Sequence, residues 1–106
     1  MSQGYAKCKM TVTENHLNGI GILMGGAIFT LGDFCFGMAA NSYGNIAVSL
    51  NAFISYLKPC TAGEVFAIAT EKSRTRKTGI YQVSIVNEKN EAIAELTGTA
   101  FFKEKI

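Results

Sequence analysis

Between Asn15 and Leu57 the chain carries one formal charge, Asp33. Around it runs "GGAIFTLGDFCFGMAAN", apolar or small on nearly every side and with glycine at positions 25, 26, 32 and 37. The length of this run favours a buried helix over a strand, from about Gly25 to Asn41, with Asn41, Ser42 and Gly44 ending it. A helix without a polar face has to be covered. That requirement limits what the other segments can build.

Those segments read as strands. In "GYAKCKMTV" Tyr5, Lys7 and Lys9 alternate with Ala6, Cys8 and Met10, the period of a strand with one wet face. "TENHLNGIGILMGG" is rich in turn residues and then in glycine, so it is a loop. Beyond the helix, Ile46, Val48, Leu50, Ala52, Ile54 and Tyr56 alternate with small or polar residues up to Lys58-Pro59. "EVFAIATEKS" and "GIYQVSIVN" flank "RTRKT", and "EKNE" is a hairpin turn into "AIAELTGTAFF". Strand, helix, then four strands is an α+β order that a curved antiparallel sheet satisfies by wrapping one hydrophobic helix. With 106 residues the chain is long enough for one such domain, 1–106, and too short for two.

Composition narrows the partners. Hydrophobic residues make up 48% and charged residues 17%, apolar for a small soluble monomer, so another copy of the chain is expected to cover part of the surface. Open sheet edges are where such a copy can pair. A net charge of +2 without a long Lys/Arg run argues against nucleic acid. Cys8, Cys35 and Cys60 are odd in number and widely spaced, so neither a disulfide framework nor a zinc ribbon is indicated. Free thiols, and a start without a signal-peptide apolar region, point to the cytoplasm. The uncharged stretch after Asp33 is interrupted by Asn41, Ser42, Gly44, Asn45, Ser49 and Asn51, which excludes a membrane helix.

Chemistry has few places to reside. Burying a carboxylate forfeits several kcal/mol of hydration or more, so Asp33 is either paired for structure or used. Gly25 and Gly26 open the helix, where free N–H groups and the positive end of the dipole gather; a Gly-Gly pair also marks tight loops. Asn18-Gly19, taken alone, is a plain turn. Arg74, Arg76 and Lys77 beside Thr78-Gly79 are a basic cluster whose default reading is a solvated hairpin tip. His16, the one histidine, lies in a turn, and no nucleophile elbow accompanies it, so a Ser-His-Asp triad is not indicated. No metal-ligand spacing occurs.

"NGIGILMGG" (Asn18 to Gly26), Asp33 beyond it, "AVSLNAFISYLKP" and "RKTGIYQVSIVNEKNEAIAELTGTAF" together resemble the hotdog-fold acyl-CoA thioesterases of the phenylacetate-pathway (PaaI-like) type, within the 4-hydroxybenzoyl-CoA thioesterase superfamily. The resemblance runs from Tyr5 onward. It implies a hotdog fold, hydrolysis of an acyl-CoA, aryl or short to medium, without metal or cofactor, and a dimer of dimers with sites at the dimer interface. It makes Asp33 the base or nucleophile and the Gly25 N–H the oxyanion donor. Asn18 orients the water or thioester. Ser49 corresponds to a hydroxyl that holds the attacking water, with an ordinary outward-facing strand residue as the equal alternative. Met24 and Gly26 border the substrate, and Arg74, Arg76, Lys77, Thr78 and Gly79 lie in the region near the CoA phosphates.

Two departures stand out. The family pattern N-x-x-G-x-x-H-G-G has Met24 at its histidine, and many relatives carry a helix and more strand before "GYAKC". Met24 keeps a rival reading open, a non-catalytic acyl-CoA binder with a degraded site. A dehydratase acting on hydroxyacyl thioesters is a second rival, but its chemistry wants a histidine beside the acid, and His16 is poorly placed for it.

Overall fold

A computed structural model describes residues 3–13, 25–44, 46–60 and 63–103. In chain order they form β1 (Tyr5–Thr11), α1 (Gly25–Ala40), β2 (Ile46–Tyr56), β3 (Glu64–Arg74), β4 (Thr78–Asn87) and β5 (Ala92–Lys103). The five strands make one sheet in the order β1-β3-β4-β5-β2, with every neighbouring pair antiparallel. β1 and β2 are therefore its edges, and α1 lies against one face.

Alternation in the strands determines that face. Val65, Ala67 and Ala69 of β3, Tyr81, Val83 and Ile85 of β4, and Ala94, Leu96 and Ala100 of β5 are buried beneath the helix residues Ile28, Leu31, Cys35, Phe36 and Ala39. Small residues let the helix come close. A side chain at Gly98 would meet the Phe36 ring at 2.6 Å, so Phe36 sits directly over the β5 backbone, tilted against Tyr81 at 5.6 Å between ring centres. A Cβ at Gly32 would likewise press on Ile85 and Leu96 at 3.1 and 3.3 Å.

Polar side chains close the C-terminal end of α1. The Asn41 amide donates to the Gly37 carbonyl at 2.7 Å, and the Ser42 hydroxyl donates to Ala39 at 2.6 Å. Both also accept from elsewhere in the chain: Asn41 Oδ1 from the Ala47 N–H, Ser42 Oγ from the Gly4 N–H. The same two carbonyls also accept the Asn41 and Ser42 backbone N–H groups at 3.0 and 3.2 Å, so each takes two donors at the helix end.

One expectation is met only in part. The helix is apolar all round, yet the sheet covers one side of it, leaving Gly26, Thr30, Asp33 and Phe34 exposed as a stripe along the other. On the flanking strand β2, Leu50, Phe53 and Tyr56 are also more than half exposed.

Candidate active site on the open helix stripe

Asp33 stands in the middle of the exposed stripe, one position from Phe34, which is 61% exposed. No hydrogen bond or ion pair is found for its carboxylate among the described residues. The bland reading, an aspartate tied to its own chain for structure, therefore finds no support within these residues. Gly25 is the first residue of α1, and the N–H groups of that first turn have no acceptor within the helix. Eight residues separate it from Asp33, about 12 Å along the axis and roughly 80° around it. Gly25 and Asp33 of one helix thus face different directions.

Two glycines of the stripe are free of packing constraints. A Cβ on Gly26 or Gly37 would have nothing within 4 Å, whereas Gly32 and Gly98 are small because the core requires it. Next to Gly26 opens a groove of about 610 Å³ lined by Lys9, Met10, Gly26, Ala27, Thr30, Leu31 and Phe34. Its walls are mostly apolar, and it starts at the helix N-terminus.

Ser49 lies on the helix side of the sheet. Its register partner in β5 is Ala100, a buried core residue, and cross-strand partners share a face, so the outward-facing alternative does not apply. Ser49 is exposed there, and its hydroxyl reaches the Asn51 carbonyl at 3.4 Å. A register shift between Ser49 and Asn51 leaves Leu50 as the extra residue, 57% exposed.

The basic cluster divides. Arg74 is held inside the chain: its guanidinium pairs with Glu71 at 3.3 Å and lies between the rings of Tyr43 (3.6 Å) and Phe102 (4.0 Å). Glu71 also accepts from the hydroxyls of Tyr81 at 2.8 Å and Tyr43 at 2.9 Å. Burial works against the Glu71 charge, but the hydrogen bonds from Tyr81, Tyr43 and Arg74 outweigh it and hold the carboxyl below its usual range. Burial first, and then the bond to Glu71, pushes the Tyr81 hydroxyl up. Arg76 and Lys77 remain exposed at the β3–β4 turn. Thr78 bonds back to Thr75 across that turn, and Gly79 is buried where a Cβ would strike Phe102 at 2.7 Å. These two residues thus serve the turn itself.

Asn18 and Met24, with His16, fall outside the described residues. Two arrangements escaped sequence reasoning. One is the Glu71 network, whose members come from three separate segments. The other is Tyr56, whose hydroxyl donates to the Gly25 carbonyl at 3.0 Å from the end of β2. Its signal was present but faint: it continues the inward parity of Ala52 and Ile54 past the point where an apolar residue would do.

The Cys35 thiol is not set up as a nucleophile. Burial, with Cys8 as neighbour, pushes Cys35 up to about 12, and its S–H is shared between the carbonyls of Ala6 and Ala67. No set of three or more metal-binding side chains occurs among the described residues, and no described helix is long and apolar enough to cross a membrane.

The family model of the thioesterase superfamily matches residues 20–94. The chain belongs to that superfamily. Acyl-coenzyme A thioesterase PaaI of Escherichia coli is 37% identical over 99 residues, covering 92% of this chain and 71% of that one. The solved structure of E. coli PaaI superposes with a TM-score of 0.94 at 35% identity, over 97% of this chain and 75% of that one. A Streptococcus mutans protein solved bound to acetyl CoA superposes at 0.93 with 30% identity, over 98% and 85%. A protein of Archaeoglobus fulgidus is 38% identical over 102 residues, 95% of this chain, which spans about two thirds (66%) of that relative's length. The five-stranded sheet around one helix is accordingly the hotdog fold of a PaaI-like thioesterase-superfamily member, a thioester hydrolase.

Proposed function

We propose that this chain hydrolyses acyl-CoA thioesters to the free acid and CoA, at sites each shared between two copies. The observation that carries the reading is the open stripe: a lone carboxylate without a partner among the described residues, flanked by glycines that no packing requires and by an apolar groove. Kinship with a thioesterase that acts on acyl-coenzyme A, and likeness to a structure holding acetyl CoA, supply the substrate class.

The thioester carbonyl lies against the first turn of α1, where the Gly25 N–H stabilises negative charge developing on the oxygen. Glycine at 25 and 26 lets the carbonyl approach the backbone closely. Asp33 from the other copy removes a proton from the attacking water, or attacks the carbonyl carbon itself. The tetrahedral intermediate collapses with departure of CoA thiolate, which takes a proton. Asn18 and the Ser49 hydroxyl position the water, and Gly26 and Met24 border the acyl group. Arg76 and Lys77 lie on the path of the CoA phosphates, with Arg74, Thr78 and Gly79 holding their turn in shape. No metal or cofactor enters the reaction, which runs on positioning and electrostatics. The separation of Gly25 and Asp33 along one helix favours a donor and an acid from different copies.

The second copy docks on β2. This edge strand is long, no strand among the described residues pairs with its outer side, and it exposes Leu50, Phe53 and Tyr56, with Leu57 just beyond it. Two such dimers form the assembly, in the cytoplasm. A panel of acyl-CoAs assayed with a thiol reagent for released CoA tests the activity, and light scattering at micromolar concentration tests the assembly. Absence of CoA release across aryl, short and medium acyl groups refutes the first; a monomer mass refutes the second.

Met24 in place of the family histidine favours one alternative, a binder without turnover. On the reading proposed here Asp33 keeps the base role and position 24 is supportive, so Met24→His changes kcat by ~10-fold or less, the scale of one hydrogen bond. A dead natural form revived by orders of magnitude makes the chain a binder.

A further inference from the structure

We propose that Tyr56 is a positioning residue for the oxyanion donor, fixing the first peptide units of α1 through the Gly25 carbonyl. The inference rests on the assignment of the Gly25 N–H as that donor. Tyr56 ends β2, and its backbone is anchored there: Tyr56 pairs with Ala94 of β5, while the Leu57 and Lys58 N–H groups both donate to the Ile93 carbonyl at 2.8 and 3.1 Å. From this fixed point the phenol hydroxyl reaches the Gly25 carbonyl at 3.0 Å, across 31 residues of sequence. The ring also lies against Gly25 itself, where a Cβ would meet three of its atoms at 3.2 to 3.4 Å.

The Gly25 N–H and the Gly25 carbonyl belong to successive peptide planes joined at one Cα. Glycine gives that joint more freedom than any other residue, and a first helical turn lacks the N-terminal hydrogen bonds that stiffen the interior. A donor aimed at developing charge has to hold its place to within about half an ångström to be effective. Holding the carbonyl at one side of the Cα restrains the N–H at the other. The contact also bears on position 25: a Cβ there would press on the Tyr56 side chain, which would have to give by a few tenths of an ångström.

Tyr56→Phe is the decisive change, because the ring stays on Gly25 and only the hydroxyl is lost. Expected is a fall in kcat of roughly 3- to 10-fold, one hydrogen bond's worth, with KM and inhibition by free CoA within 2-fold of wild type. Amide exchange of Gly25 to Phe29 should quicken while that of β4 does not, and the mass by light scattering should be unchanged. Tyr56→Ala, which frees the turn completely, should lose more kcat than Tyr56→Phe. A role confined to packing predicts a normal kcat in Tyr56→Phe, and that result overturns the inference. So does a loss appearing wholly in KM, or a fall in mass that accounts for the lost turnover. Wild type and Asp33→Asn run alongside separate the two levels. Active wild type, weakened Asp33→Asn and an unchanged Tyr56→Phe leave the thioesterase reading standing and remove Tyr56 from it. Wild type inactive on every acyl-CoA removes both.

Discussion

At the C-terminal end of α1 the capping side chains have been given partners from the same chain, whereas along its open stripe the Asp33 carboxylate has none among the described residues. Asn41 and Ser42 cap the first region, and beneath them Glu71 gathers Tyr43, Tyr81 and Arg74 into a network sealed by Phe102. In the second region Asp33, Gly26 and Phe34 face outward beside an exposed edge strand. The two lie on one 16-residue helix, so local sequence preference alone does not separate them. What separates them is satisfaction. Buried polar groups that are fully paired serve stability, and on the proposed function the apolar surface left open around one charge serves a substrate and a second copy. Changes in the first region should therefore alter unfolding and spare turnover, and changes in the second should do the reverse.

Asp33→Asn is the largest expected break. Asparagine has nearly the same size, and no bond of the carboxylate to a described residue is lost, so the unfolding free energy should stay within the ±0.5 kcal/mol of ordinary surface changes. Turnover should fall ~10²- to 10⁴-fold, the usual cost of removing a base. Steady-state kinetics with urea unfolding on the same preparation measures both sides. Near wild-type turnover would take Asp33 out of the mechanism, and a large stability loss would place it with the structural region.

How much of this was readable beforehand follows the same division. The lone charge between Asn15 and Leu57, the apolar period of α1 and the alternation of the strands are local patterns, and each element lies within a residue or so of where its pattern put it. Ser49 was undecided because a strand's parity names a face only once its partner is known; Ala100 supplied that. Arg74 was grouped with Arg76 and Lys77 because the three are neighbours in sequence, and nothing local shows that Tyr43 and Phe102 enclose only the first. Tyr56 escaped for the same reason: its partner lies 31 residues away. Asn18 and Met24 rest on the family pattern alone.

Glu71→Ala tests the sealed region. It leaves the fully buried Tyr81 hydroxyl without an acceptor and the Arg74 charge without a partner, a cost of about 3 kcal/mol. The specific activity of the folded fraction should not change. Acid provides an independent reading. Glu71 is held below its ordinary value of 4.5 in the folded chain, so as pH falls through that range the unfolded state takes up the proton first. Its contribution to stability is complete above about pH 5 and is lost progressively as pH drops toward its folded value. Urea midpoints at pH 7 and pH 3.5 should diverge more in wild type than in Glu71→Gln. Equal acid slopes in the two would mean that the network contributes nothing through its charge.

The smallest effects are expected at the β3–β4 turn, where the two regions meet within four residues. Arg74→Ala removes a guanidinium packed between two rings and paired with Glu71, so it should lower stability by about 1 to 2 kcal/mol and leave KM alone. Replacing Arg76 and Lys77 together by alanine should do the opposite, since both are exposed and make no ion pair among the described residues. KM for acyl-CoA should rise a few-fold, and less so for a short thioester lacking the nucleotide. Charges that meet phosphate at an exposed surface are screened within about 8 Å at physiological salt, so the difference should shrink as ionic strength is raised. KM values measured for both substrates at low and high salt decide the matter. Equal effects on the two thioesters, or none, would make Arg76 and Lys77 a solvated turn and confine the CoA-facing surface to the helix stripe and β2.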